Sequence, residues 1–200
     1  MTLQTDTNSK KVYVWRYPEE EYIEDCCGAT VIPGFEKTKV WGAMRYRKLS
    51  ELIIMPENKG GGKLTALEYT EIILDGEMFD FWIEGMEDVG YLLMMEDGTP
   101  YHKGAATIRR EQLEKDGWIG WGPGTWPANS PDLNPIENLW HIMRSNIRKR
   151  KTQPQNKKEL EIALMEEWKK LDIEIVNTLI LSIPQRLQAV IEARGGATGY

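Results

Sequence analysis

Apolar and polar residues follow two different rhythms along this chain, and the change of rhythm divides it. Near the start, Val12–Tyr17 (VYVWRY) is a dense aromatic and β-branched run, which predicts a strand ended by Pro18. An acidic loop, Glu19, Glu20 and Glu21, follows. Thr30–Pro33 suits a short extended piece before a turn at Gly34. Thr38–Arg47 (TKVWGAMRYR) predicts a strand with Gly42 inside it, a position that suits a bulge. Glu51–Met55 (ELIIM) predicts another strand, closed by Pro56 ahead of the glycine-rich Asn58–Gly62 loop. The first third therefore reads as an antiparallel meander.

The period then changes. Leu67, Leu74, Met78, Phe81, Trp82 and Met86 recur at three-to-four spacing, which predicts one amphipathic helix over about 64–86. Tyr91–Met95 (YLLMM) is a short continuous apolar run, the pattern of a strand buried on both faces. A helix over 103–115 and a strand over 117–121 complete a strand–helix–strand order, which predicts a parallel crossover. Gly122–Pro135 is too rich in Gly and Pro for a regular element. Beyond it, Asn134 as N-cap with Pro135 at the first helical position predicts a helix to about Arg150. Two more follow, Asn156–Leu171 with Leu160, Leu164 and Trp168 on one stripe, and Ile173–Arg194 interrupted near Pro184. The sum is an α/β fold with one mixed sheet and flanking helices.

Composition narrows the classes. With 200 residues, 41% of them hydrophobic and 28% charged, the chain is globular and fits one domain. Its net charge of −6 argues against a wholly basic DNA binder. No apolar run approaches the roughly 18 residues of a membrane span, and the polar Met1–Lys11 gives no signal peptide. The only cysteines, Cys26 and Cys27, are adjacent, so neither a disulfide framework nor a Cys-based zinc site follows. Charge is uneven, however. Residues 1–103 carry 19 acidic and 11 basic side chains, whereas Leu139–Lys158 carries seven basic and no acidic ones. That run reads either as a solvated helix face or as a phosphate-contacting surface.

Two carboxylates stand out. Asp97 directly follows the predicted buried strand, and ligands of open α/β sheets gather at the carboxyl ends of strands. The plainer reading of Asp97-Gly98 is a turn. Glu137 lies three residues after Asn134, so it either closes a capping box or serves a site. Its one-turn neighbours His141, Arg144 and Arg148 make poor core material, and suit a metal site running into a phosphate-binding surface. His102 is either a proton-transfer group or an exposed loop residue. Trp118, Trp121, Trp126 and Trp140 cluster around the proline-rich loop, as core or as stacking surfaces for bases. Paired carboxylates from distant segments suit Mg²⁺ chemistry on phosphodiesters, and two such ions need a third acid, for which Asp6, Asp25 and Glu96 are the nearest options.

The motif residues themselves resemble a known family. Trp126–Trp140 reads WPANSPDLNPIENLW, similar to the hallmark of the catalytic domain of Tc1/mariner-type transposases. Met95–His102 (MEDGTPYH) resembles the segment bearing that family's second catalytic aspartate. Val12–Arg16 and Val40–Gly42 resemble its early strands, and Ser182–Tyr200 its C-terminal part, most like the fungal members. The resemblance implies an RNase H-like fold and an Asp-Asp-Glu/Asp triad with Mg²⁺ or Mn²⁺, in which Asp97 is the second member and Glu137 the third. It implies DNA as partner, through Arg144, Arg148, Lys149, Arg150 and Lys151, with cutting of transposon ends and strand joining in the nucleus. A homo-oligomer stays open, and no membrane is involved.

Two departures are visible. The 39 residues between Asp97 and Glu137 slightly exceed the commonest family spacing, and Gly117–Thr125 would hold the insertion. The family's first aspartate falls upstream of Met1. The expectation is a single catalytic domain lacking its first strand and the helix-turn-helix region. Such a domain would be inactive alone, with an exposed edge on Val12–Tyr17. The alternative is a non-enzymatic nucleic-acid-binding or interaction module derived from a transposase.

Overall fold

A computed structural model describes residues 2–4, 37–56, 64–90, 93–96, 99, 101–105, 108–109, 119–121, 130–196 and 198–200. The strand over 12–17, the extended piece at 30–33, the acidic and glycine-rich loops, and Asp6, Asp25, Asp97, Trp118 and Trp126 lie outside these residues.

The meander is there in shortened form. Strand β1 (Thr2–Gln4) pairs antiparallel with β2 (Lys37–Trp41), Leu3 opposite Thr38. The segment expected as one strand over 38–47 instead breaks after Trp41. It resumes as a hairpin of β3 (Met44–Arg45) and β4 (Lys48–Leu49), and β5 (Ile53–Ile54) returns to pair with β2. The break has a steric cause at Gly42. A Cβ there would lie 2.8 Å from the Trp168 ring and 3.1 Å from the Trp140 ring, so the backbone passes against two indoles. The hairpin turn holds Arg47 at φ 66°, and Asn177 Oδ1 accepts from its amide at 2.7 Å, fixing this left-handed residue.

The helix expected over 64–86 is a run in three parts. A capping box at Thr65 and Glu68 starts α1 (Ala66–Tyr69), a π-helical stretch spans Thr70–Glu77, and α2 (Met78–Val89) ends at Gly90 in the left-handed region. Gly76 leaves helical geometry at the kink. The wider π turn shifts the buried stripe, so Tyr69, Ile73, Leu74, Met78 and Trp82 are buried while Leu67 is exposed. Strands β6 (Leu93–Met95) and β7 (Ile119–Trp121) are parallel, as the crossover reading requires. Among the described residues the strands form three separate sheets, β1–β2–β5, β3–β4 and β6–β7, rather than the single mixed sheet expected.

A 3₁₀ turn, Pro131–Leu133, leads into α3 (Ile136–Arg148). This corrects the expected start, because Pro135 occupies the cap position and no side chain caps the helix. Helix α4 (Lys157–Lys169) begins at Asn156, whose side chain accepts from the Glu159 amide. Helices α5 (Ile173–Leu181) and α6 (Ile183–Glu192) divide before Pro184.

Strand alternation distributes the core to both faces of the β2–β5 pair. Val40 and its partner Ile54 face α3–α5, among Leu139, Met143, Leu164, Trp168 and Val176. Trp41 and Ile53 face the opposite cluster of Tyr69, Ile73, Met78 and Trp82. Helices therefore cover the pair on two sides, which is α/β architecture. Gly42→Ala is expected to cost about 1–3 kcal/mol in urea unfolding, because overpacking forces the indoles apart; an unchanged midpoint would show that the two rings move without cost.

Candidate functional site

The end of β2, the end of β6 and the first turn of α3 enclose one cavity of about 320 Å³. Its walls include Trp41 and Gly42 from β2 and beyond, Met94, Met95 and Glu96 from β6 and beyond, and Asn134, Pro135, Glu137 and Trp140 around α3. Glu96, the immediate neighbour of Asp97, and Glu137 thus open on the same space although 40 positions separate them in sequence.

The capping-box alternative for Glu137 is not realised. Its amide donates to the Asn134 carbonyl at 3.1 Å, but its half-buried carboxylate accepts no cap hydrogen bond. The side chain also has no hydrogen bond or ion pair with any described residue. A carboxylate in the first turn is stabilised by the positive end of the helix.

Glu96 is held differently. Tyr69, 1% exposed, donates its hydroxyl to Glu96 Oε1 and accepts from Trp41 Nε1 at 3.0 Å. Burial, and then the charge of Glu96, push the Tyr69 hydroxyl well above its ordinary value, so it stays a donor. His102 is not the exposed loop residue that was the plainer expectation. It is half-buried in a helical turn over 101–105, its ring 4.6 Å from both Tyr69 and Tyr101. The Trp41–Tyr69–Glu96 chain joins three segments; of its members only Glu96 stands out in sequence, as an option for a third acid, and nothing there ties it to Tyr69 or Trp41.

The expected stripe on α3 runs outward from the cavity. Glu137 is half-buried at its mouth, and His141, Arg144 and Arg148 are exposed beyond it, with Lys149 and Lys151 exposed at the helix end. Arg150 has another task. Its guanidinium donates to Glu167 at 2.6 Å, to the Ala163 carbonyl at 3.2 Å and pairs with Glu166 at 2.9 Å, tying the end of α3 to α4. Burial favours the neutral form of Glu167, but Arg150 and Lys170 outweigh it and hold the carboxyl below its usual range. Trp140 is core, stacked on Trp168 at 5.2 Å.

Among the described residues, no three His, Cys, Asp or Glu side chains are grouped to hold a metal. The donor chemistry nonetheless fits a hard divalent ion. Among the described residues Glu137 has a carboxylate without a partner, and Glu96, the residue before Asp97 in sequence, lines the same cavity. Mg²⁺ characteristically takes one or two carboxylates and keeps several waters.

Residues 69–161 match the family model described as DDE superfamily endonuclease. The Tcb1 transposase of Caenorhabditis briggsae is 40% identical over 77 residues, 38% of this chain and 27% of that protein. The Tc3 transposase of Caenorhabditis elegans is 28% identical over 163 residues, 80% of this chain and 45% of that protein. The chain thus spans between about a quarter and just under half of the length of these curated relatives. The catalytic domain of Mos1 mariner transposase superposes with a TM-score of 0.63 at 21% identity, over 81% of this chain and 76% of that one. The architecture is RNase H-like. Among the described residues, no helix is long and apolar enough to cross a membrane.

Proposed function

We propose, for a chain that carries the DDE domain of the Tc1/mariner-type transposases, a role in the metal-dependent cutting and joining of DNA ends. The observation that supports it best is the Glu137 carboxylate, without a partner among the described residues, on a cavity that Glu96, the residue before Asp97 in sequence, also lines, with exposed basic residues further along the same helix. Asp97 and Glu137 would hold Mg²⁺ or Mn²⁺, their carboxylates converging within about 4–8 Å. When bound, such ions activate the attacking oxygen and stabilise the leaving one. The chain's own part is to place Glu137 in the first turn of α3; Asp97 follows Glu96 in sequence. Tyr69 keeps its proton, and so keeps Glu96 hydrogen-bonded beside Asp97.

Arg144, Arg148, Lys149 and Lys151 would contact phosphates, leaving Arg150 to its pairing with α4. A solved Mos1 relative is described as a paired-end complex with Mn. By analogy two copies of this domain would each engage one DNA end, in the nucleus.

The test is duplex binding by fluorescence anisotropy across salt concentrations. Neutralising the four residues to glutamine is expected to weaken binding at least about tenfold, and to flatten the salt slope by about 0.9 per lost phosphate contact. Unchanged affinity and slope would reduce the stripe to solvated surface. Binding indifferent to Mg²⁺ and to Glu137 would favour a non-enzymatic DNA-binding module instead.

A further inference from the structure

Arg186 is 2% exposed, yet among the described residues no carboxylate lies within ion-pair distance of it. Isolated buried charge is costly, so an arginine in this position has to be satisfied by neutral acceptors. It is. Nε donates to Ser182 Oγ at 2.8 Å, Nη1 to the Asp132 carbonyl at 2.7 Å and Nη2 to Asn138 Oδ1 at 2.8 Å. These last two acceptors bracket Glu137, one in the 3₁₀ turn before α3 and one in the residue after Glu137. The face of the guanidinium is covered by the Tyr200 ring, 4.8 Å from its centroid. The segment bearing Tyr200 has a second anchor on the same turn, where Thr198 Oγ1 donates to Asp132 Oδ2 at 2.8 Å. Asp132 Oδ1 accepts from the Leu133 amide at 3.1 Å, so this residue is held on both sides.

We propose that Arg186, with Tyr200 seated over it, is a positioning residue that sets the entry of α3 and hence where Glu137 points. The planar fork is what the task needs. Two N–H groups at fixed separation bridge a backbone carbonyl and a side-chain amide on either side of the Pro135 cap, which a lysine ammonium does not reproduce. Tyr200 seals the guanidinium from water and strengthens the polar contacts beneath it. The α3 N-terminus carries no side-chain cap of its own. The clasp from α6 and the segment Thr198–Tyr200 supplies the constraint that a cap would otherwise give.

The inference rests on Glu137 being a metal ligand, and the experiment separates the two. Native-state hydrogen exchange is read at the Glu137 and Asn138 amides, which bond to the Asn134 and Pro135 carbonyls, and at the Leu164 amide inside α4 as an internal reference. Mn²⁺ affinity is measured on the same proteins by calorimetry. Tyr200→Ala and Arg186→Lys are expected to speed exchange at Glu137 and Asn138 about tenfold, leave the Leu164 amide within twofold, and weaken Mn²⁺ binding several-fold. Tyr200→Phe, which keeps the ring face, is expected to behave as wild type. If Glu137→Gln leaves Mn²⁺ binding unchanged, the metal reading fails while the exchange result still tests the clasp. Unchanged exchange at Glu137 and Asn138 in both Tyr200→Ala and Arg186→Lys would overturn the proposal. So would equal acceleration at all three amides, which would mean a merely global role.

Discussion

Glu137→Gln is expected to weaken Mn²⁺ or Mg²⁺ binding by at least about a hundredfold while leaving the unfolding midpoint in metal-free buffer unchanged. The first half follows from coordination chemistry. A neutral amide removes both the charge and half the oxygen donors that a hard cation prefers, and changing groups merely behind a ligand already costs about 10–100-fold. The second half follows from the surroundings. The carboxylate is half-buried, has no partner among the described residues and caps nothing, so an isosteric amide should stay within about 0.5 kcal/mol. Asp97→Asn should give the same loss, and the double variant little more, because two ligands of one ion act as a unit. A thermal shift gives an independent readout. Metal at about a hundred times its Kd should stabilise the wild-type chain by about 2.7 kcal/mol and neither variant at that concentration. Wild-type affinity in Glu137→Gln would remove it from the site.

What could be read from sequence was what depends on neighbours along the chain. The three-to-four spacing of Met78 and Trp82, a strand at the end of the YLLMM run and a helix from Asn156 onward depend on local preference and are present, as is the parallel pairing of β6 with β7, although Met94 and Met95 are half-buried rather than buried. The motif around Pro135 also led to Glu137. What was misread depended on distant contact. The strand expected across Gly42 breaks because Trp140 and Trp168, far along the chain, occupy the space beside it. The one amphipathic helix contains a π stretch and a kink at Gly76, which moves the stripe off Leu67 onto Tyr69 and Ile73. Thr2–Gln4 is too polar and short to announce a strand, yet it pairs with β2. In the basic run, charge alone did not separate Arg150, bound into α4 by Glu166 and Glu167, from its exposed neighbours. Nor did any periodicity point to Arg186, whose partners lie 48 and 54 positions away.

Trp168 makes the distant contact at Gly42, and its removal is expected to cause a large stability loss. The residue is 4% exposed, its ring stacks on Trp140 at 5.2 Å and an interplanar angle of 21°, and its Nε1 donates to the Ser50 carbonyl at 2.8 Å. Trp168→Ala leaves a cavity worth about 3–5 kcal/mol and a buried carbonyl without its donor, worth about 1–3 kcal/mol if water does not replace it. Against the 5–15 kcal/mol that holds a typical domain together, the variant should lie near its folding threshold. Trp168→Phe separates the two terms, since it keeps most of the apolar volume and loses only the hydrogen bond, and should cost about 1–3 kcal/mol. The effect should also reach the site. Trp140 stands one turn beyond Glu137 on α3, and the two indoles fill the gap between α3 and the backbone at Gly42, which is the cavity's opposite wall. Trp168→Phe should therefore weaken Mn²⁺ binding more than an equally destabilising core change at a position that does not line the cavity and is two turns from Trp168, such as Leu160→Val. Urea unfolding of the three variants alongside metal titration checks both parts. A loss below about 1 kcal/mol in Trp168→Ala would mean that the stack is not what holds α3, α4 and β2 together.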